Sequence, residues 1–430
     1  NQSGGIVLRI EGTLVSDGNE NNKIYLTSIF DDQVGNPLDT NGDGGSTTPN
    51  PNNWGTVRFM PTSDDLNSIV DNTEIRYSKH GLIFTNAAPT VDSVFVLSCR
   101  FVGFVAEGSE SNGTISNSTI QNCGGDPLAV STKAKPTFNN ISFNSNASNG
   151  ILLLEANNNT VTSSGAFNAG NQYISTRNNI NSDVTLTPYT VAGFTNIPYV
   201  LRTVATVTSN TTFTIAQDNT FKTSSGSYGF FVDGALIVDG GASNPVVFTS
   251  LRDDGNGGDT NNDGNTSVPI PGEAPQIVFR ASSIDSVNHV NYATFTYPNI
   301  SIRFENAKGL VENSTFQLTA ADAIRITGNA SPTIQNNSFE NISSSTGQVG
   351  NSILMDMFSN PTFSGNTESN VRIRGIGITG QTWGSDATVP VRSFAGIDTV
   401  TYVMYGNITI PSGTSITIPS GLVFKSFTRF

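Results

Sequence analysis

The stretch from Gly309 to Thr367, GLVENSTFQLTAADAIRITGNASPTIQNNSFENISSSTGQVGNSILMDMFSNPTFSGNT, decides how the whole chain reads. Within it LVENSTF, PTIQNNSF and PTFSGNT follow one another at Val311, Ile334 and Phe363, so one short phrase is rewritten every 23 to 29 residues. That spacing leaves no room for a helix between parallel strands. Each phrase must then lay its strand on the previous one, as the coils of a solenoid do.

The same phrase stands in the first half at Val91 (PTVDSVFV), Ile115 (GTISNSTI) and Phe138 (PTFNNISF). Two positions after the six anchors come Ser93, Asn117, Asn140, Asn313, Asn336 and Gly365. Asn adopts the left-handed backbone conformation and can hydrogen-bond to its copy one strand away, which suits a tight corner in a stacked coil. Five positions after the anchors come Val96, Ile120, Phe143, Phe316 and Phe339, all apolar, with Glu368 breaking the rule in the sixth. The apolar column is read as the interior of a tube and the Asn column as its corner. Helix propensity is poor throughout. The chain is therefore read as all-β, a parallel β-helix with coils of about 23 residues and projecting acidic loops.

Of the 430 residues 36% are hydrophobic and only 13% charged, with a formal net charge of -13. A large core can be buried, and the acidic balance makes nucleic acid an unfavourable partner. No apolar run reaches membrane-spanning length, since GFFVDGALIV is broken by Asp233 and Gly234. The opening NQSGGIVLRIEG reads as a strand, so an export signal is expected to lie outside this sequence. Cys99 and Cys123 are placed at different positions of the phrase and are expected to be two free, small core residues rather than a disulfide. The Asn-, Ser- and Thr-rich composition suits an extracellular or bacterial cell-surface protein.

A longer repeat overlies the short one. LTSIFDDQVGNPLDTNGDGGSTTPNPNNWGTVRF, Leu26 to Phe59, returns as FTSLRDDGNGGDTNNDGNTSVPIPGEAPQIVF, Phe248 to Phe279, at an offset of 222 falling to 220. The segment ending at Lys222 returns as the segment ending at Lys425, at an offset of 203. The expected organisation is a first tandem unit over residues 1–186 with a truncated start, a second over 187–389 and the beginning of a third over 390–430, in one continuous solenoid. The difference between offsets is about one coil, so an additional rung is expected near Ile151 to Val161. About 18 rungs at ~4.8 Å would make a rod of roughly 85 Å. Three readings of the ends follow: a slice of a longer array, a subunit that stacks end to end on copies of itself, or ends covered by short loops.

The order of these segments, VVFTS followed by an acidic DD…DTNxDG loop, a WGxVxF-like segment and PTIxNNxF coils, resembles the right-handed parallel β-helix repeat proteins of bacterial surfaces, in the pectate-lyase-like superfamily. The resemblance implies the architecture and leaves function open, because that superfamily holds lyases, glycosidases, tailspikes, adhesins and inert stalks. The second unit departs from the pattern where EAPQIVF replaces NNWGTVRF.

The most specific local signal is Asp39-Thr40-Asn41-Gly42-Asp43-Gly44 and its copy Asp259-Thr260-Asn261-Asn262-Asp263-Gly264. Oxygen ligands at alternate positions followed by Gly match the first half of an EF-hand loop. The closing Glu is missing, with Asn50 and Ile270 at the twelfth positions, and the neighbouring pairs Asp31-Asp32 and Asp253-Asp254 are the expected substitutes. The candidate metal ligands are therefore Asp31, Asp32, Asp39, Asn41 and Asp43, with Asp253, Asp254, Asp259, Asn261 and Asp263 in the copy, for a structural calcium ion.

Catalytic signals are weak. Asp31-Asp32 and Asp64-Asp65 are adjacent in sequence, so in a strand their side chains point to opposite faces. His80 and His289 stand where the other unit carries Ile300 and Ile69, and are expected to be packed or surface residues. Trp54 and Trp383 are expected to pack loops against the tube, with sugar stacking as the other option. The resulting expectation is a non-catalytic extracellular fibre, stalk or adhesin segment with calcium-braced loops, whose partners are copies of itself or neighbouring repeats, and a surface polysaccharide as a further class. A polysaccharide lyase, glycosidase or carbohydrate-binding module of the same fold is the alternative.

Overall fold

The computed structural model describes residues 7–131, 134–144, 146, 152–155, 162–164, 174–177, 179–188, 196–261, 263–342 and 350–427. Among them the only regular elements are β-strands, nearly all of two to four residues, and every strand pairing is parallel. Strands this short have no stability alone, so the fold lives in the stacking. The chain divides into two compact units: Asn1–Thr176 with Tyr189–Ile197 and Thr260–Asn262, and Arg177–Pro188 with Pro198–Asp259 and Asp263–Phe430.

In the first unit each coil lays down three strands. Phe104–Glu107, Thr114–Ser116 and Thr119–Gln121 form one coil, lying on Leu82–Thr85, Thr90–Asp92 and Phe95–Leu97 of the coil before. The second unit repeats the scheme. There Ile324–Thr327, Thr333–Gln335 and Ser338–Glu340 stack on Ile302–Glu305, Leu310–Glu312 and Thr315–Gln317. The protein is a right-handed parallel β-helix, the fold that the phrase spacing demands.

In the phrase strands such as Thr114–Ser116, Thr119–Gln121, Leu310–Glu312 and Thr315–Gln317 the middle residue points inward because side chains alternate along a strand. In the first unit Val91, Ile115 and Phe138 are buried in one column and Val96, Ile120 and Phe143 in another; in the second unit Val311 and Ile334 are buried in one column and Phe316 and Phe339 in another. The last of these columns is part of an aromatic ladder. Tyr199, Phe221, Phe248, Phe295, Phe316 and Phe339 stack with successive centroid separations of 5.3, 5.5, 4.6, 5.2 and 5.1 Å. Glu368 ends it, in register with Phe339, where its carboxylate accepts the Ser352 hydroxyl at 2.5 Å.

The corner column behaves as its residue types require. Ser93, Asn117, Asn140, Asn313, Asn336 and Gly365 all have φ between 48° and 62°. Asn140 Nδ2 donates to Asn117 Oδ1 at 2.9 Å and Asn313 Nδ2 to Asn291 Oδ1 at 3.0 Å, so the corner amides hydrogen-bond from rung to rung. A second left-handed corner follows the next strand, at Ser98, Asn122, Leu318, Asn341 and Asn370. It went unread in the sequence because Leu318 hides its composition.

Two expectations are corrected or fall away. Cys99 and Cys123 form a disulfide, with Cα atoms 4.5 Å apart. The pairing Leu97↔Gln121, carried two residues on, sets them opposite each other, so they occupy the same position on consecutive coils. The expectation of two free thiols came from placing them at different positions. The additional rung expected near Ile151 to Val161 lies outside the described residues, apart from the strand Leu152–Glu155.

The corner geometry makes a prediction. Replacing Asn313 by Val places a β-branched side chain at φ 51° and should destabilise the protein by about 1–2 kcal/mol, while Asn313→Gly should cost far less. Chemical denaturation of the two variants measures both; equal losses would show that the amide, and not the backbone conformation, matters at this corner.

Candidate metal centre

Each acidic loop leaves a strand held by its neighbours. In the first unit it follows Ile24–Leu26, paired to Thr73–Arg76, and returns at Val57–Phe59. In the second it follows Val246–Ser250, paired on both sides to Thr220–Thr223 and Ala293–Thr296, and returns at Gln276–Phe279. The coil thus fixes both feet of a long excursion.

Within the loops the aspartates organise the backbone. Asp39 accepts the N–H groups of Asp43 at 3.1 Å and Gly44 at 2.8 Å, and Asp43 accepts those of Ser46 at 2.9 Å and Thr47 at 3.0 Å. The copy repeats this: Asp259 accepts from Asp263 at 3.2 Å and Gly264 at 2.9 Å, and Asp263 from Thr266 and Ser267, both at 3.0 Å. Gly44 and Gly264 turn the chain with φ of 66° and 62°. Such turns favour glycine.

Carboxylate oxygens of Asp32, Asp39 and Asp43 lie within 4.8 Å of one another, as do those of Asp254, Asp259 and Asp263. The first aspartate of each pair is used elsewhere. Asp31 accepts the Thr27 hydroxyl at 2.6 Å and lies 3.5 Å from Arg76 Nη1, while Asp253 accepts the Thr249 hydroxyl at 2.5 Å. Asp31 and Asp253 are thus engaged outside the three-carboxylate clusters to which the sequence reading assigned them, each held by a threonine hydroxyl four residues before it.

The electrostatics of the two clusters match. Loss of water, then the charges of Asp39, Asp43 and Asp31, push the Asp32 carboxyl above its ordinary value. Loss of water and Asp259 do the same at Asp254. Asp32 Oδ1, Asp254 Oδ1 and Asn41 Oδ1 are buried with no hydrogen-bond partner, although Asn41 Nδ2 donates to Asp43 at 2.9 Å. Asn261 holds the place of Asn41 in the copy. An all-oxygen donor set with orphaned oxygens and three crowded carboxylates, offset in the second cluster only in part by Lys222, fits a hard divalent cation.

Lys222 was not singled out from the sequence. Its side chain is fully buried, and Nζ donates to the carbonyls of Asp253 and Gly258, both at 2.8 Å, pinning the second loop to the strand beneath. Burial lowers its pKa to about 8 despite Asp253, Asp254 and Asp259. The available signal was its return, at the same offset as its neighbours, as Lys425.

Other titratable groups are dispersed. His80 is largely enclosed, its ring 5.4 Å from that of Phe101, and burial, with Lys79 and Arg58, holds its pKa at about 4. His289 Nε2 is 2.9 Å from Glu312 Oε1. Asp64 accepts from Asn67 at 2.8 Å and Asp65 from the Ala88 N–H at 2.8 Å, so this pair shares no site. Trp54 donates to the Arg76 carbonyl at 2.7 Å and Trp383 is buried. Sequence reading missed Asp322, fully buried with Arg325 Nη2 at 2.5 Å, and Tyr405, whose hydroxyl donates to Asn351 Oδ1 at 2.5 Å.

Coils of this kind, with in-register parallel strands and left-handed corners, define the parallel β-helix class. Residues 80–250 match the family model described as a right handed beta helix region. Comparison with curated proteins and with solved structures returns no match. The fold carries both enzymes and non-enzymes.

If a cation binds these clusters, calcium added to chelator-treated protein should raise the unfolding temperature. Each site would contribute roughly 2.7 kcal/mol at free calcium near one hundred times its Kd. Asp32→Asn should reduce this gain yet stabilise the metal-free protein, since it removes like-charge repulsion. The pH dependence has the same origin: a carboxyl with a raised folded-state pKa favours folding below its unfolded value of 3.8 and loses that advantage as pH rises through the raised value. The metal-free gain from Asp32→Asn should therefore vanish in acid. An unfolding temperature indifferent to chelator would exclude the cation.

Proposed function

We propose that this chain is a non-catalytic structural module of an extracellular, bacterial-surface fibre or stalk, built from tandem β-helix units whose acidic loops are braced by calcium. One observation carries the reading. Both copies of the acidic loop keep the same hydrogen bonds and the same three-carboxylate cluster although the first loop has two more residues between its aspartate pair and its Asp-Thr-Asn segment. The groups suited to chemistry are not kept: His80 faces Ile300 in the other copy, and Asp322 and Arg325 face Val102 and Val105.

Two further observations support it. A disulfide is at home in an oxidising compartment. Among the described residues no helix is long and apolar enough to cross a membrane. A surface polysaccharide is a partner class compatible with such a module.

The enzymatic alternative has one specific candidate, the Asp322–Arg325 pair, where burial raises the Asp322 carboxyl pKa against the pull of Arg325. Asp322 has no exposed surface, so a substrate cannot reach its carboxyl without rearrangement of the coil. Incubation with uronate and neutral polysaccharides, followed by absorbance of unsaturated products and by reducing-sugar release, should show no turnover. Turnover abolished by Asp322→Asn would replace the structural reading with a catalytic one.

A further inference from the structure

The aromatic ladder of the second unit stops at Phe339 because Glu368 takes the next place in its column. A ring arrives there from another segment. Phe394 lies 5.7 Å from Phe339 and 5.1 Å from Phe363, and it meets the Phe363 ring edge to face at 74°. The segment that carries it, residues 389–400, is buried at both ends by Val389 and Val400 and straps the coil that holds Thr362–Ser364 and Thr367–Ser369.

Polar contacts fix the strap in place. Arg392 Nη1 donates to the Pro361 carbonyl at 2.7 Å and Nη2 to Asn360 Oδ1 at 2.9 Å, while the Tyr402 hydroxyl donates to the Pro390 carbonyl at 2.7 Å. At the crest the Phe394 N–H donates to the Ile397 carbonyl at 3.0 Å and the Ile397 N–H to the Phe394 carbonyl at 2.9 Å. These bonds close a two-residue turn with Ala395 at φ 50° and Gly396 at φ 75°. Glycine takes that conformation freely, but an alanine there is strained, and such strain gathers where a protein holds a ligand.

Between strap and coil lies a cavity of about 390 Å³. Sites for small ligands begin at roughly 300 Å³. Phe363, Asn366 and Thr367 of the coil form one wall and Ser393, Phe394 and Gly396 of the strap the other, all of them within the second unit. Phe363 is only half-buried in a column whose earlier members Val311 and Ile334 are fully buried, so part of its ring faces the cavity. Ser364, Thr367 and Ser393 are exposed and bring hydroxyls to the walls. The Asn366 amide is spent within the coil, where Nδ2 donates to the Ile334 carbonyl at 2.8 Å and Oδ1 accepts the Asn337 N–H at 3.1 Å. No charged side chain lines the cavity.

That lining selects its ligand. An anion would lose its water and find no cation in exchange, and a wholly apolar molecule would leave the hydroxyls without partners. A ring with an apolar face and a rim of hydroxyls suits both parts of the wall: the face lies on Phe363 and the rim meets Ser364 and Thr367. The geometry points to the cavity between residues 363–367 and 393–396 as a binding site for a neutral pyranose, the sugar residue of a surface polysaccharide. It rests on the structural reading above for the class of partner and gives that partner a place on the coil.

Saturation-transfer difference NMR on the full chain tests it, with the methyl pyranosides of glucose, galactose, mannose and N-acetylglucosamine as probes and methyl glucuronide as the charged control. At least one neutral glycoside should receive saturation, and the glucuronide should bind about 10-fold more weakly or not at all. Thr367→Val keeps the shape of the wall and removes a hydroxyl, so it should weaken binding about 5-fold. Thr367→Trp fills the cavity and should abolish binding. Because Thr367 is exposed, circular dichroism should show both variants folded as the parent is. Tighter binding of a tetrasaccharide than of the methyl glycoside of the same sugar supports a polysaccharide as the source, and equal binding supports the free sugar in the same site. Saturation of no neutral glycoside, equal binding of the glucuronide, or binding unchanged by Thr367→Trp would overturn the inference and leave the structural reading standing. Binding accompanied by cleavage of the tetrasaccharide would keep the site and remove that reading instead.

Discussion

In-register parallel hydrogen bonding between consecutive coils is the constraint on which everything else in this molecule depends. A three-residue strand such as Thr333–Gln335 is stable only because Leu310–Glu312 lies on one side of it and Thr362–Ser364 on the other. A slip of one residue would turn Ile334 outward and its polar neighbours into the core. The corners follow from the same demand, because strands this short must be separated by sharp turns. Left-handed Asn, Ser and Gly residues make them with few atoms.

A coil that is closed and repeated tolerates insertions wherever a corner faces solvent. The acidic loops exploit this: their feet are fixed by strand pairing, and their interiors are free to gather carboxylates that a compact core would reject. The negative charge of Asp32, Asp39 and Asp43 is a liability unless a cation is shared among them, and the scaffold holds the three together regardless. Lys222 shows a complementary solution, in which a buried ammonium takes two backbone carbonyls of the loop and ties it to the coil. Brace and scaffold are therefore energetically linked, since loosening the loop would strand a buried charge.

Much of the fold was legible because a repeat averages over its own exceptions. The columns at Val311, Ile334 and Asn313, Asn336 recur often enough that Glu368 and Ser93 do not obscure them. The disulfide is legible in the spacing, since Cys99 and Cys123 are as far apart as Val91 and Ile115 and so share a position on consecutive coils. The second corner was missed because Leu318 is a residue seldom tolerated at φ 53°. At the acidic loops the residue types announced oxygen ligands, but only coordinates show Asp32 and Asp254 turned in and Asp31 and Asp253 turned out. Lys222 offered only its return as Lys425, since what encloses it is the loop at Asp253 and Gly258, more than 30 positions on, and nothing in the sequence marked Asp322 as buried.

Phrases one coil apart lie directly over each other. Leu310, Thr333 and Thr362 are successive partners in one sheet, so Leu310 and Thr362 stand two strand spacings apart although 52 residues separate them. Spin labels on cysteines introduced at these two positions should show dipolar broadening for backbone sites about 10 Å apart, with a narrow distribution. A separation well beyond 20 Å, or a broad distribution, would contradict the stacked coil.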